Sequence, residues 1–277
     1  MLCQAAGMAA PVSAPIRIGI GGWTYAPWRG GVFYPPKLRQ ADELGHACSV
    51  LTGLEIEGTY HRLATPASYA KWAAAAPDDF VFSVKASRFC TNRRVLADAG
   101  EGIATFLDSG LTELGPKLGP ILWQFMATKQ FDPDDFGAFL RLLPATHKGV
   151  KLRHAIEPRH ESFRDPAFIA MARAAGVAIV FADAKFPQFA DLTGDFAYAR
   201  LQAAQADVET GYPAAELDHW ATVARGWAAG ETPAGLAYVD PAPAPSMPRE
   251  TFLFFINGAK ERAPAAAQAL IERVGRA

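Results

Sequence analysis

Eight short apolar runs, rich in β-favouring residues, recur along the chain with helix-like segments between most of them. They cover residues 16–21, 54–59, 80–85, 120–125, 153–157, 178–181, 196–201 and 252–256. Several are near-continuous hydrophobic stretches, the pattern of parallel strands covered on both faces. The intervening segments carry a helical period: Tyr69, Trp72, Ala73 and Ala76 fall at i, i+3, i+4 and i+7, as do Phe136, Phe139, Leu140 and Leu143, and Leu217, Trp220, Ala221 and Ala224. Thr65-Pro66, Asp132-Pro133 and Asp165-Pro166 each place a capping side chain before a proline at the first helical position. Pro213 and Pro264 open the last two helices in a similar way. Alternation of this kind predicts a single-domain α/β chain, a closed (β/α)8 TIM barrel, with an open doubly wound sheet as the alternative. Two departures are expected. Residues 183–195 are too few for a full helix and contain Pro187, so the helix after strand six is short or missing. Residues 230–249 carry Pro233, Pro241, Pro243, Pro245 and Pro248 and read as an extended insertion before strand eight, on the bottom face of a barrel.

The balance of residues removes other classes. With 50% hydrophobic residues in 277, and 27 basic against 28 acidic side chains, the chain has a large core to bury and no charge excess. A net charge of -1 argues against a nucleic-acid polymer as partner. No apolar run is long enough for a bilayer span. Cys3, Cys48 and Cys90 are odd in number and far apart, form no zinc-type pair, and suit a reducing compartment. Residues 1–15 are alanine-rich without a basic secretory n-region, so the expectation is a flexible leader ahead of a barrel domain at 16–277 in a cytoplasmic protein.

Barrel active sites sit at the C-terminal ends of strands, and alternate residues share a face. Strand two ends in Glu55, Glu57 and Thr59. Strand three ends at Lys85 with Arg88 following, and strand four carries Gln124. Strand five ends at Glu157 with Arg159 in phase and His160 beside it. Strand six ends at Asp183, strand seven carries Arg200, and strand eight ends at Asn257. The loop after strand one supplies Gly21-Gly22-Trp23, Tyr25 and Trp28. One polar group per strand end, in register with the apolar positions, predicts a pocket at the mouth. Structural pairing, Glu57 with Lys85 or Asp183 with Arg200, is the competing reading.

Gly19-x-Gly21-Gly22-Trp23-x-Tyr25-x-x-Trp28 followed by Phe33-Tyr34-Pro35, then Glu55 to Tyr60, Phe80 to Arg88, Leu118 to Gln124, Ile156 to Phe163, Tyr198-x-Arg200-Leu201 and Phe254 to Asn257, resemble the successive blocks of the YecE-like family, domain of unknown function 72. The likeness runs from about Ile16 to the C-terminal helix. It implies a TIM-barrel fold and marks the same pocket, without naming a reaction. Glu57, Asn92, Gln202 and Gly258 depart from that family's usual asparagine, histidine, histidine and asparagine, and Met126-Ala127 replaces a proline pair. The loss of two histidines weakens a metal or histidine-relay chemistry.

The cations Lys85, Arg88, Arg159 and Arg200 call for a small anionic ligand, phosphorylated or carboxylated. Glu157 and Asp183 are the candidate acid and base, with Lys85 as a catalytic amine or an anchor for the anion. Trp23, Tyr25, Glu57, Arg88, Gln124, Arg159, His160, Arg200 and Asn257 are the candidate binding residues. No cofactor and no metal ligand is assigned, with a divalent metal left open. The alternatives are metal-dependent phosphoester or sugar chemistry and a non-catalytic ligand- or nucleotide-binding role. Trp28 is expected to pack rather than bind, His160 to support from behind, and Cys90 to be a packed thiol. His46, His61, His147, His154 and His219 are expected to be structural or exposed.

Overall fold

The computed structural model describes residues 13–242 and 244–275. Residues 1–12, with Cys3 and most of the expected leader, and Pro243 lie outside the described residues. Eight parallel strands close into one barrel: β1 (Ile16–Gly21), β2 (Gly53–Ile56), β3 (Val81–Lys85), β4 (Leu118–Gln124), β5 (His154–Glu157), β6 (Ala178–Ala182), β7 (Phe196–Leu201) and β8 (Glu250–Phe255). Neighbours in sequence are neighbours in the barrel, and β8 returns to β1 with Ile16 opposite Thr251 and Ile20 opposite Phe255. An outer ring comprises α1 (Glu43–Val50), α2 (Pro66–Ala75), α3 (Arg88–Thr91), α4 (Gly100–Asp108), α5 (Pro133–Leu142), α6 (Pro166–Ala174), α7 (Ala214–Ala229) and α8 (Ala263–Val274). Among the described residues no helix is long and apolar enough to cross a membrane.

The helix starts follow from their caps. Thr65 Oγ1 accepts from the Ser68 amide at 3.3 Å, Asp132 Oδ1 from Asp134 and Asp135 at 3.0 and 3.1 Å, and Asp165 Oδ1 from Ala167 at 2.8 Å. Each satisfies amides that the first helical turn leaves open, worth about 1 kcal/mol. Pro213 sits at the cap position of α7 rather than inside it, and Pro264 is the second residue of α8. Between β6 and β7 the described chain forms no helix, as its length and Pro187 required. The insertion after α7 closes the bottom of the barrel: Asp191, in the segment leading into β7, accepts from the amides of Val239 and Asp240, both at 2.9 Å. Ala14 and Pro15 are pinned to the same end through Ala228 and Thr251.

Two apolar layers result. The strand faces turned outward, with Ile18, Ile20, Phe181, Leu253 and Phe255, pack on the helices. The inward faces form a separate cluster of Val81, Leu122, Ala155, Val180, Tyr198, Phe252 and Phe254 inside the barrel. Strand β1 turns Arg17, at its base, and then Gly19 and Gly21 to that interior. A Cβ on Gly19 would lie 1.8 Å from the Gly53 carbonyl oxygen, so only glycine lets β1 and β2 approach this closely.

Candidate functional site at the barrel mouth

The inward phase of the strands decides which polar side chains meet. Glu55, Lys85, Gln124, Glu157 and Arg200 lie on the inward faces of β2, β3, β4, β5 and β7, on the mouth side of the apolar cluster. Arg200, 1% exposed, is their centre. Its Nε and Nη2 donate to both oxygens of Glu55 at 3.1 and 2.9 Å, and Nη2 also reaches Glu57 at 3.2 Å. Its Nη1 donates to Glu157 at 2.6 Å and to the Gln124 side-chain oxygen at 3.1 Å. Tyr198, one turn of the pleat below, donates to Glu55 Oε2 at 2.6 Å. All three guanidinium nitrogens are therefore engaged by the protein itself.

Arg159 covers this layer from the mouth side. It donates to Glu157 at 2.6 Å and to Gln124 at 2.7 Å, and its guanidinium lies 4.5 Å from the Phe186 ring centre. Burial alone would raise the Glu157 pKa, but Arg200, Arg159 and Lys85 outweigh it and hold that carboxyl below the usual range. Glu157 is fully buried beneath two guanidinium groups, without a face on the open cavity.

The open cavity lies to one side, over β1, β2, β3 and the end of β8, with a volume of about 350 Å³. Trp23, Tyr25 and Tyr60 form its walls, and Glu57, Lys85 and Lys260 supply its charges. Glu57 leaves β2 in a helical conformation and starts the turn Gly58–Tyr60, which is why the strand stops at Ile56 rather than reaching Thr59. Its carboxylate bridges Arg200 and Lys260, the latter at 3.2 Å. Burial pushes its pKa up, but Arg200, Lys260 and Lys85 prevail and lower it. Room for that carboxylate depends on Gly21, where a Cβ would sit 2.8 Å from Glu57 Oε2.

Lys85 is different in kind. It is 8% exposed and lines the cavity, with its ammonium 4.5 Å from the Tyr60 ring centre. Among the described residues it has no ion-pair partner within 4.0 Å and donates no side-chain hydrogen bond, whereas Arg200, Arg159 and Lys260 each hold a carboxylate. Burial and then the nearby Arg200 lower its pKa, against the opposing pull of Glu55, Glu57 and Glu157.

Other expected residues stand elsewhere. Asp183 does not join Glu157, and its carboxylate accepts from the Gln202 amide and from Tyr212 Oη, the latter at 2.9 Å. The reason is phase. Val180 points inward, so Phe181 and Asp183 point toward the helices, and Phe181 packs on Trp220 of α7. Asn257 follows the outward phase of Leu253 and Phe255 and is exposed. Neither ion pair of the competing reading forms: Glu57 pairs with Arg200 and Lys260 instead of Lys85, and Arg200 pairs with glutamates instead of Asp183. Arg88 is exposed at the start of α3, over Phe89. His160 Nδ1 accepts from the Ser162 amide at 3.1 Å and caps the turn Glu161–Phe163. Trp23 packs edge-on against Trp72 with ring centres 5.2 Å apart. Trp28 is buried and donates to the Lys260 carbonyl at 2.9 Å, which places Lys260 at the rim. Cys90 is buried and its thiol is pushed up to about 12 by burial.

Sequence reasoning missed Glu55 as a site member, together with Tyr60, His61, Tyr198 and Lys260. Glu55 and Tyr198 were visible as partners in phase with Glu57 and Arg200. Lys260 lies beyond the end of β8, where phase no longer guides. Among the described residues no group of three His, Cys, Asp or Glu side chains is placed to hold a metal ion, and the three mouth glutamates converge on Arg200 instead.

The fold and the mouth define a (β/α)8-barrel protein with a polar, ligand-sized cavity at the C-terminal ends of its strands. The chain belongs to the family described as protein of unknown function DUF72, which matches residues 17–277. It is similar to the solved DUF72 family protein of Thermotoga maritima, at 21% identity and a TM-score of 0.69, covering 93% of this chain and 98% of that one. A DUF72 family protein of Enterococcus faecalis V583 gives 19% identity and a TM-score of 0.69 over 94% and 95%. More distantly, SacUVDE shares the barrel at 8% identity and a TM-score of 0.54 over 94% and 98%. Among curated proteins none matches.

Proposed function

We propose that this chain is an enzyme that binds a small anionic substrate, phosphorylated or carboxylated, in the cavity over β1–β3, with Lys85 as the group that meets it. The observation that carries this reading is the unpartnered Lys85 ammonium at the floor of an aromatic-walled cavity. Three carboxylates, Glu55, Glu57 and Glu157, face four cations, Lys85, Arg159, Arg200 and Lys260, and only Lys85 is left without an opposite charge in contact. A buried charge is stable when paired, so an incoming oxyanion completes the set. Trp23, Tyr25 and Tyr60 supply apolar faces for the body of the molecule.

The same placement equips Lys85 for proton transfer. A lowered pKa keeps more of the free amine near neutrality, and the amine is the form that accepts a proton or attacks a carbonyl carbon. Glu157 and Arg200 in this reading are positioning residues that hold the floor of the cavity rather than touching substrate.

Acetylation of Lys85 by acetic anhydride, read by mass spectrometry, tests the reading. Phenyl phosphate or benzoate is expected to protect Lys85, while phenol gives no protection. The variant Lys85→Met should weaken phenyl phosphate binding to the cavity by at least about tenfold, the scale of one charged hydrogen bond. Equal acetylation with and without both anions would overturn the proposal.

A further inference from the structure

At the opposite end of the barrel Pro245, Met247 and Arg249 of the proline-rich insertion help to line a second cavity of about 420 Å³. Its lining joins Leu143, Leu152, Val177 and Leu192 to four cationic side chains, Lys151, Arg153, Arg173 and Arg249, and one carboxylate, Asp195. Arg249 is 1% exposed. It donates from Nε to the Gly194 carbonyl at 3.1 Å, from Nη1 to Met247 at 3.1 Å and from Nη2 to Pro245 at 2.8 Å. All three acceptors are neutral, and among the described residues no carboxylate lies within ion-pair distance. Each Nη carries two hydrogens and spends one on these contacts, so one N–H on each has no partner among the described residues.

Arg173 adds to this. Its Nη1 holds Asp240 at 2.7 Å, but its Nε is buried with no hydrogen-bond partner among the described residues. Burial and then the neighbouring Arg173 lower the Arg249 pKa, and Asp195, a carboxylate of the same cavity, offsets this only in part. The other cations of this end are satisfied: Arg153 is held by Glu250, and Lys151 faces Asp195. An interior guanidinium with neutral partners only, beside an orphaned N–H of a second, is costly unless an anion enters.

We propose that this basal cavity is an anion-binding site, separate from the mouth, for a small ligand that carries one carboxylate or phosphate on an apolar body. The oxyanion is held by Arg249 and Arg173, and the body rests on the leucines and Val177. The site stands at the N-terminal ends of the strands, beside Pro245, Met247 and Arg249, so its ligand clamps that end of the insertion against β6 and β7. This assignment is independent of the mouth proposal, since the two cavities share no lining residue.

Calorimetric titration with phenyl phosphate and with benzoate tests it, with inorganic phosphate as the oxyanion without a body. The variant Lys85→Met removes the mouth contribution and should leave basal binding within about twofold, while Arg173→Gln should weaken it at least about tenfold. Phenyl phosphate or benzoate should bind at least about tenfold more tightly than inorganic phosphate, given the apolar lining. Arg249→Gln should abolish binding; if circular dichroism shows that variant unfolded, Arg173→Gln decides. Binding lost in Lys85→Met but kept in Arg173→Gln would assign all of it to the mouth and overturn the basal site. So would no anion binding in Lys85→Met at all, or inorganic phosphate binding as tightly as the ligands with a body.

Discussion

The guanidinium of Arg200 grips both carboxylate oxygens of Glu55, at 2.9 and 3.1 Å, across the inside of the barrel. That contact spans the barrel from β7 to β2 and places a full ion network where many barrels carry only apolar packing. Its energetic meaning is asymmetric. A buried pair contributes modestly when whole, and removal of one member leaves charges without partners.

The variant Arg200→Met is therefore expected to destabilise the fold by about 3–5 kcal/mol, because Glu55 and Glu157 lose their main counter-charge inside the barrel. Urea denaturation followed by circular dichroism measures it. A loss below about 1 kcal/mol would show that the network is replaceable by apolar contact.

Asp183 gives a pH dependence of definite sign. Burial raises its pKa from 3.8 to about 6, against the lowering effect of the Gln202 and Tyr212 hydrogen bonds. Between those values the folded protein holds a proton that the unfolded chain has released. The contribution of this group is thus fully present below 3.8 and is lost as pH rises through about 6. The loss is on the order of 1–3 kcal/mol. Chemical denaturation at a series of pH values should show this decline in the wild type and a flatter curve in Asp183→Asn. Identical slopes for the two proteins would remove Asp183 as the source.

Lys85 should acetylate with a pH profile displaced downward from that of an ordinary free lysine amine, because burial and Arg200 both favour its neutral form. The comparison uses the shape of each profile, normalised to its own plateau, so slow access to the cavity does not imitate the effect. Coincident midpoints would contradict the environment described for Lys85.

Two tryptophans of one loop should behave differently. Trp28 is completely buried, and Trp28→Ala is expected to cost about 3–5 kcal/mol through the cavity it leaves. Trp23 is only partly buried and packs edge-on against Trp72, so Trp23→Ala should cost about 0.5–1.5 kcal/mol and act mainly on phenyl phosphate affinity. Thermal melts with parallel binding titrations separate the two. Equal destabilisation by both variants would remove Trp23 from the cavity wall as a binding element.

The Gly21→Ala variant tests the approach of β1 to Glu57. The added methyl would lie 2.8 Å from the carboxylate and 2.9 Å from Ile256, so Glu57 must shift and release Arg200 or Lys260. Overpacking of this kind costs about 1–3 kcal/mol. Full stability by urea denaturation, with unchanged anion affinity, would show that Glu57 has slack.

Much of the barrel was legible in the sequence because parallel strands buried on both faces leave apolar runs, and capping side chains before proline mark helix starts. The site was legible only where one phase of a strand was distinct. In β7, Tyr198 and Arg200 alternate with Ala197 and Ala199, and in β2 Glu55 alternates with Leu54 and Ile56; phase there leads straight to the ion network. In β6 every residue of Ala178–Ala182 is apolar, so nothing in the sequence tells inward from outward, and Asp183 is assigned to the wrong face. The last four residues of β8, Phe252–Phe255, are likewise apolar on both faces, which misplaces Asn257. Lys260, Tyr60 and His61 lie past strand ends, in turns whose direction depends on tertiary contacts rather than on alternation.

The Arg200 contact joins residues 145 positions apart in the chain. The first four strands by themselves present Glu55 and Glu57 to the interior with Lys85 as their one cation and no guanidinium to grip them, and that guanidinium arrives only with β7. Two copies of the first half would bring four carboxylates against two lysines at their shared centre. The interior electrostatics therefore act as a key between unlike halves: the N-terminal half is complemented by its own C-terminal half, and not by a duplicate of itself.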